Sequence, residues 1–149
     1  MRRYSMRALF RPEALASLFG HYQGAPLIVE RIDSEPEPDV MFFSNPDALA
    51  YGTLRTKPLL VIAVADRSLD YDLGEKSQLY ADAGVPEYWV VNLVERVLVV
   101  FREPLEGTYQ VRSSLDETTR VTPEAWPELA FEVSAFFPPE GAGPSEADR

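Results

Sequence analysis

The sequence has no cysteine and one histidine, His21. Without thiols there is neither a disulfide nor thiolate chemistry, and one imidazole excludes a histidine-rich zinc site. Long apolar runs are missing too. The longest, residues 58–65, has the length of a strand and falls far short of a bilayer crossing. The basic start, Met1 to Met6, is not followed by the apolar stretch of a signal peptide, so the expected compartment is the cytoplasm and no membrane partner is expected. No glycine-rich phosphate loop and no internal repeat are present. Lysine is scarce: twelve arginines stand against two lysines, Lys57 and Lys76.

What remains is an ordinary globular composition. The 149 residues are enough for one domain with a real core, and 46% hydrophobic with 26% charged residues fits a soluble chain. The formal charge of −10 argues against broad attraction to phosphates. Acids crowd the C-terminal region, whereas Arg2, Arg3, Arg7 and Arg11 cluster at the other end. That cluster reads as a solvated terminus, with a phosphate-contacting arm as the alternative.

The pattern along the chain predicts a helix from about Arg11, with Pro12 in its first turn and Leu15, Leu18 and Phe19 as its apolar stripe before Gly20. Residues 26–32 read as a strand. The prolines at 36 and 38 exclude helix interior and deliver the chain into a second strand at 39–43. Residues 44–57 read as a polar loop with a helical turn after Pro46. Residues 58–65 are apolar on both alternating faces, which places them inside a covered sheet. Asp72 and Glu75 have the spacing of a capping box, predicting a helix from there to Ala83 and a stop at Gly84. Residues 87–92 read as a strand, 96–102 as its hairpin partner, and 109–112 as a further strand. Short closing elements are expected at 122–127 and 133–137, and a disordered tail at 138–149. The order is helix, three strands, helix, strand, then an all-β extension.

Three positions invite chemistry. Asp39 enters a strand behind a rigid Pro-Glu-Pro run; alone, it reads more readily as a solvated turn acid than as a functional one. Lys76 falls on the stripe Leu73, Lys76, Tyr80, Ala83, so it faces the sheet. An inward ammonium is costly unless paired or wet, and a chain that otherwise prefers arginine has kept a lysine there. The competing readings are a lysine snorkelling from the core edge, or an i,i+4 partner of Asp72. Ala63 stands out for what it lacks, mid-strand and close in sequence to the Lys76 helix. His21 has no nucleophile or acid at motif spacing and reads as a surface or interhelical residue. Tyr88 and Trp89 read as core rather than as a base-stacking platform.

The residues at 34–40, at 60–72, and at 74–91 with Gly74-Glu75-Lys76, Leu79-Tyr80-Ala81 and Gly84-Val85-Pro86-Glu87-Tyr88-Trp89 together resemble the Uma-type restriction endonuclease family of the PD-(D/E)XK nuclease superfamily. The likeness continues more loosely to about Phe137. It implies an α/β (α+β) restriction-endonuclease-like core over residues 1–137, with a mixed central sheet flanked by helices and a C-terminal β extension. It further implies a metal-dependent endonuclease cutting DNA with Mg²⁺ or Mn²⁺, and a homodimer is plausible. The acid of the family's Pro-Asp maps to Asp39 and the helix lysine to Lys76. The acid of the third strand maps to Ala63, where this sequence departs from the pattern. A stretch that the family usually carries before its first helix is expected to be missing.

Two carboxylates hold the ion in that superfamily, which polarises the phosphate and acidifies the attacking water. Their lysine positions the water and offsets developing charge. With Ala63 in the second place, Asp39 alone would bind the ion weakly if at all. Asp66 is the nearest substitute, although strand alternation sends it to the opposite face unless the strand has ended; Asp70 and Asp72 are further acids. The expected function is an endonuclease with weakened or lost activity, the alternative being a non-catalytic nucleic-acid-binding or interaction module.

Overall fold

The computed structural model describes residues 27–31, 39–43, 49–50, 53–54, 57–65 and 68–137, with side chains for 40–43, 57–65 and 68–137. Ten strands and two α-helices are formed there: β1 (Leu27–Arg31), β2 (Asp39–Phe43), β3 (Leu49–Ala50), β4 (Thr53–Leu54), β5 (Leu60–Ala65), α1 (Leu69–Leu73), α2 (Glu75–Asp82), β6 (Glu87–Asn92), β7 (Val97–Leu105), β8 (Thr108–Leu115), β9 (Arg120–Val121) and β10 (Phe131–Glu132), followed by a 3₁₀ turn at Val133–Phe136. The helix expected from Arg11, the helical turn after Pro46 and the tail after residue 137 lie outside the described residues. The supposed loop before β5 contains the small β3–β4 ribbon.

Six strands form one mixed sheet in the order β1-β2-β5-β6-β7-β8. Every neighbouring pair is antiparallel except the central pair β5–β6. A parallel pair needs a crossover, and α1 and α2 supply it. The two strands of that pair are buried along their whole length because both faces of the sheet are covered. On one face Phe42, Ile62, Trp89 and Val100 pack beneath Trp126, Phe131 and Phe136 of the C-terminal segment. On the other, Met41, Val61, Ala63, Tyr88, Val90 and Phe101 pack with Tyr80 and Ala81 of α2. Tyr88 and Trp89 are core residues of these two faces, both fully buried.

The predicted capping box does not form. The rod breaks into two helices at Gly74 (φ −101°, ψ −96°), so Asp72 lies within α1 and α2 begins at Glu75 with Gly74 as its cap. A Cβ on Gly74 would stand 3.0 Å from the Asp70 carbonyl oxygen, so the bend needs the missing side chain. The buried face of α2 shifts accordingly: Lys76 and Tyr80 face inward as predicted, joined by Ser77 and Ala81, while Ala83 is exposed. The stop at Gly84 is realised with φ +79°, a conformation that favours glycine.

Candidate functional site

The expected site residues are described only in part: positions 39 and 63 lie on the paired strands β2 and β5, and Lys76 lies on α2. β2 and β5 pair with Val40 against Ile62, Met41 against Val61 and Phe42 against Leu60. Continued one step, that register sets backbone position 39 across from Ala63. Position 39 is also two residues from Met41, which belongs to the face covered by α2. The side chain of Asp39 and the whole of Asp66 lie outside the described residues. β5 ends at Ala65, just before position 66.

Ala63 is 1% exposed. It faces the helix layer in the same apolar group as Tyr80 and Ala81. A buried methyl group therefore stands at the position where the resemblance leads one to expect an acid.

Lys76 is buried, and its partner is Asp72: Nζ lies 3.4 Å from Oδ1. The acid is itself almost wholly buried. The Ser68 hydroxyl donates to its Oδ2 at 2.6 Å, and the Tyr88 hydroxyl donates to its backbone carbonyl at 3.0 Å. The Lys76 ammonium also stands 6.0 Å from the centre of the Tyr71 ring, a cation–π contact. Of the readings open for Lys76, the i,i+4 pairing with Asp72 is the one these distances display. The sequence offers two roles for Asp72, a cap three residues before Glu75 and an i,i+4 partner of an inward lysine, and the second is the one formed.

A second buried acid went unnoticed. Glu87 opens β6, in phase with Trp89, and sits opposite Arg102 in register. It accepts hydrogen bonds from the Trp89 indole (2.8 Å), the Arg102 guanidinium (2.7 Å) and the Glu124 amide (2.9 Å). Arg102 in turn donates to the Thr122 carbonyl at 2.7 Å. Burial pushes the Glu87 carboxyl above the usual glutamate range, although these donors all pull it down. The cluster fastens the C-terminal segment to the sheet on the face away from Lys76.

A divalent ion of the kind the resemblance implies requires oxygen donors in convergence. Among the described residues no group of three His, Cys, Asp or Glu side chains comes together to hold a metal. Position 63 offers a methyl group, and the carboxylate of Asp72 is engaged by Ser68 and Lys76. The described donors thus do not fit a two-carboxylate magnesium site.

The mixed sheet, with a helical crossover joining its central parallel pair, is the restriction-endonuclease-like core that the resemblance implies. The profile of the Uma2 family, described as putative restriction endonuclease, matches residues 8–134, and the chain belongs to that family. Among solved structures, a putative nuclease belonging to DUF820 from Anabaena variabilis shares the fold, with a TM-score of 0.65 at 12% identity over 91% of this chain and 84% of that one. No curated protein matches the chain.

Proposed function

We propose that residues 1–137 form one nuclease-like domain acting on DNA, with Asp39 and Lys76 as its catalytic pair and its hydrolytic chemistry weakened by the loss of a carboxylate at position 63. The observation that favours this reading is the β2–β5 register: continued one step, it sets position 39 across from a buried methyl group on the face that α2, with its inward Lys76, covers. In the family's chemistry the ion, Mg²⁺ or Mn²⁺, supplies charge to the phosphate and an activated water. In this chain Asp39 would be its main ligand, with Asp66 as the substitute acid. The lysine would offset the negative charge that develops on the phosphate oxygens.

The test is nicking of supercoiled plasmid in Mg²⁺ and in Mn²⁺ by the natural chain and by Ala63→Glu. Restoring the acid should raise the rate about a hundredfold, and adding Lys76→Ala should remove the gain. The site assignment is wrong if the natural chain already cuts well, gains nothing from Ala63→Glu, and needs Asp66. A chain that binds duplex DNA yet stays inert after Ala63→Glu would instead be a binding module on a nuclease scaffold.

Cutting both strands of a duplex suits two-fold symmetry. The edge strands of the six-stranded sheet, β1 and β8, are where a second copy would pair. Light scattering of the purified chain distinguishes a dimer from a monomer.

A further inference from the structure

Asp72 reads from the sequence as a helix cap, a partner of Lys76 or a further acid for the metal, and it is one of the most buried charged groups in the described structure. We propose that Asp72 is a positioning residue for Lys76: it orients the ammonium and does not serve as a replacement metal ligand for the missing acid at position 63. The inference rests on the nuclease reading only for what the lysine is positioned to do; the arrangement of the pair stands on its own geometry.

Three features support it. The carboxylate is fixed by a donor other than the lysine, since the Ser68 hydroxyl holds Oδ2 at 2.6 Å and so presents Oδ1 to Nζ at 3.4 Å. The residue is anchored to the sheet, because its carbonyl accepts from the hydroxyl of Tyr88, a fully buried side chain of β6. The bend at Gly74 then starts a new helix, with Lys76 in its first turn one i,i+4 step from Asp72. Ser68 at the N-cap of α1, Asp72 within α1 and Tyr88 of β6 thus form a mount for the lysine on α2.

Stability alone is a poor reason for such a mount. A buried ion pair usually does no better than apolar side chains of the same volume. A lysine with four rotatable bonds, by contrast, needs a fixed carboxylate if its ammonium is to stay in one place. A divalent ion binding through Oδ1 would have to displace the ammonium that this oxygen faces at 3.4 Å.

The lysine content makes the test clean. Lys76 is buried and Lys57 is exposed, and the chain has no other lysine. Competitive acetylation of the folded full chain with acetic anhydride, read by mass spectrometry, therefore reports Lys76 against an internal reference. Natural Lys76 should label far more slowly than Lys57. Asp72→Asn, which keeps the shape and loses the charge, should raise the Lys76-to-Lys57 ratio about tenfold, because a lysine without its carboxylate partner surrenders its proton more readily. Ser68→Ala should raise it less, and serves alone if Asp72→Asn does not fold.

In the Ala63→Glu background, Asp72→Asn should lower kcat while leaving KM for DNA and Mn²⁺ affinity unchanged, and Asp72→Glu should restore part of the loss. An unchanged labelling ratio in folded Asp72→Asn, or in Ser68→Ala should the former fail to fold, overturns the proposal. So does a loss of Mn²⁺ affinity, which would make Asp72 a metal ligand. Labelling needs no cleavage, so an inert Ala63→Glu chain with the predicted labelling pattern would sink the nuclease reading and leave the Asp72–Lys76 assignment intact.

Discussion

A glutamate at position 63 would enter a place now filled by a methyl group packed near Tyr80 and Ala81. An ionised carboxylate there without a counter-charge costs several kcal/mol, so Ala63→Glu should melt well below the natural chain in the absence of divalent ions. If the new acid completes a metal site, Mn²⁺ at a hundred times its dissociation constant should return about 2.7 kcal/mol. Melting curves with and without Mn²⁺ check this; a deficit that no divalent ion reduces would mean that position 63 does not face the metal. At this scale the sequence was legible for Lys76, whose apolar stripe put it inside. It was misleading for Asp72, because local spacing cannot tell a cap from a buried partner when a glycine lies between them. Glu87 was hidden for a different reason: its three donors come from residues 89, 102 and 124, and only the folded sheet assembles them.

Among the elements, the two-helix crossover shows how a small local cause redirects a longer one. The apolar periodicity of residues 69–83 predicts one helix, and helix does form on both sides of Gly74. The break is made at Gly74 (φ −101°, ψ −96°), where a Cβ would stand 3.0 Å from the Asp70 carbonyl oxygen, and no periodicity records that. Gly74→Ala should therefore lower stability by about 1–2 kcal/mol despite alanine's better helix propensity, as urea unfolding would measure. A gain in stability would mean that the bend is not needed. The strands were more readable. The β5 and β6 segments are legible because both of their faces are apolar, whereas β7 and β8 run further than their apolar pattern suggests, since their outer ends alternate with exposed residues such as Glu103 and Thr108. The two-residue strands β3, β4, β9 and β10 are too brief for any period to show.

For the whole molecule, acid groups set opposite trends with pH. Burial raises Glu87, so folding favours its protonated form. Its contribution is fully present below the ordinary glutamate value and shrinks as the pH climbs through the raised one. Glu117, held down by Arg96, and Asp116, held down by Thr118, behave in the reverse sense: their contributions are present above the ordinary carboxylate range and are lost as the pH falls through their lowered values. The second pair is exposed and therefore weak. Glu87→Gln should consequently flatten the decline in stability between about pH 4 and pH 7. Thermal melts of both chains across that range test it, and an unchanged slope would place the cause elsewhere. The overall architecture, a helical crossover in a mixed sheet with a β extension, was foreseeable from the order of apolar segments. What the segment order did not foretell is that the extension folds back to cover one whole face of the sheet. No helix among the described residues is long and apolar enough to cross a membrane.

The parallel pair at the centre of the sheet has a consequence for synthesis. On the ribosome β5 emerges with β2 already available on one side, but its other neighbour lies beyond residues 66–86 and is not yet made. Until Trp89 and Val91 arrive, a six-residue apolar ribbon has one row of amides and carbonyls open to any passing strand. Nascent chains halted before residue 87 are accordingly the ones that holdase chaperones would clasp, and those halted after the β7–β8 hairpin are the ones that they would release.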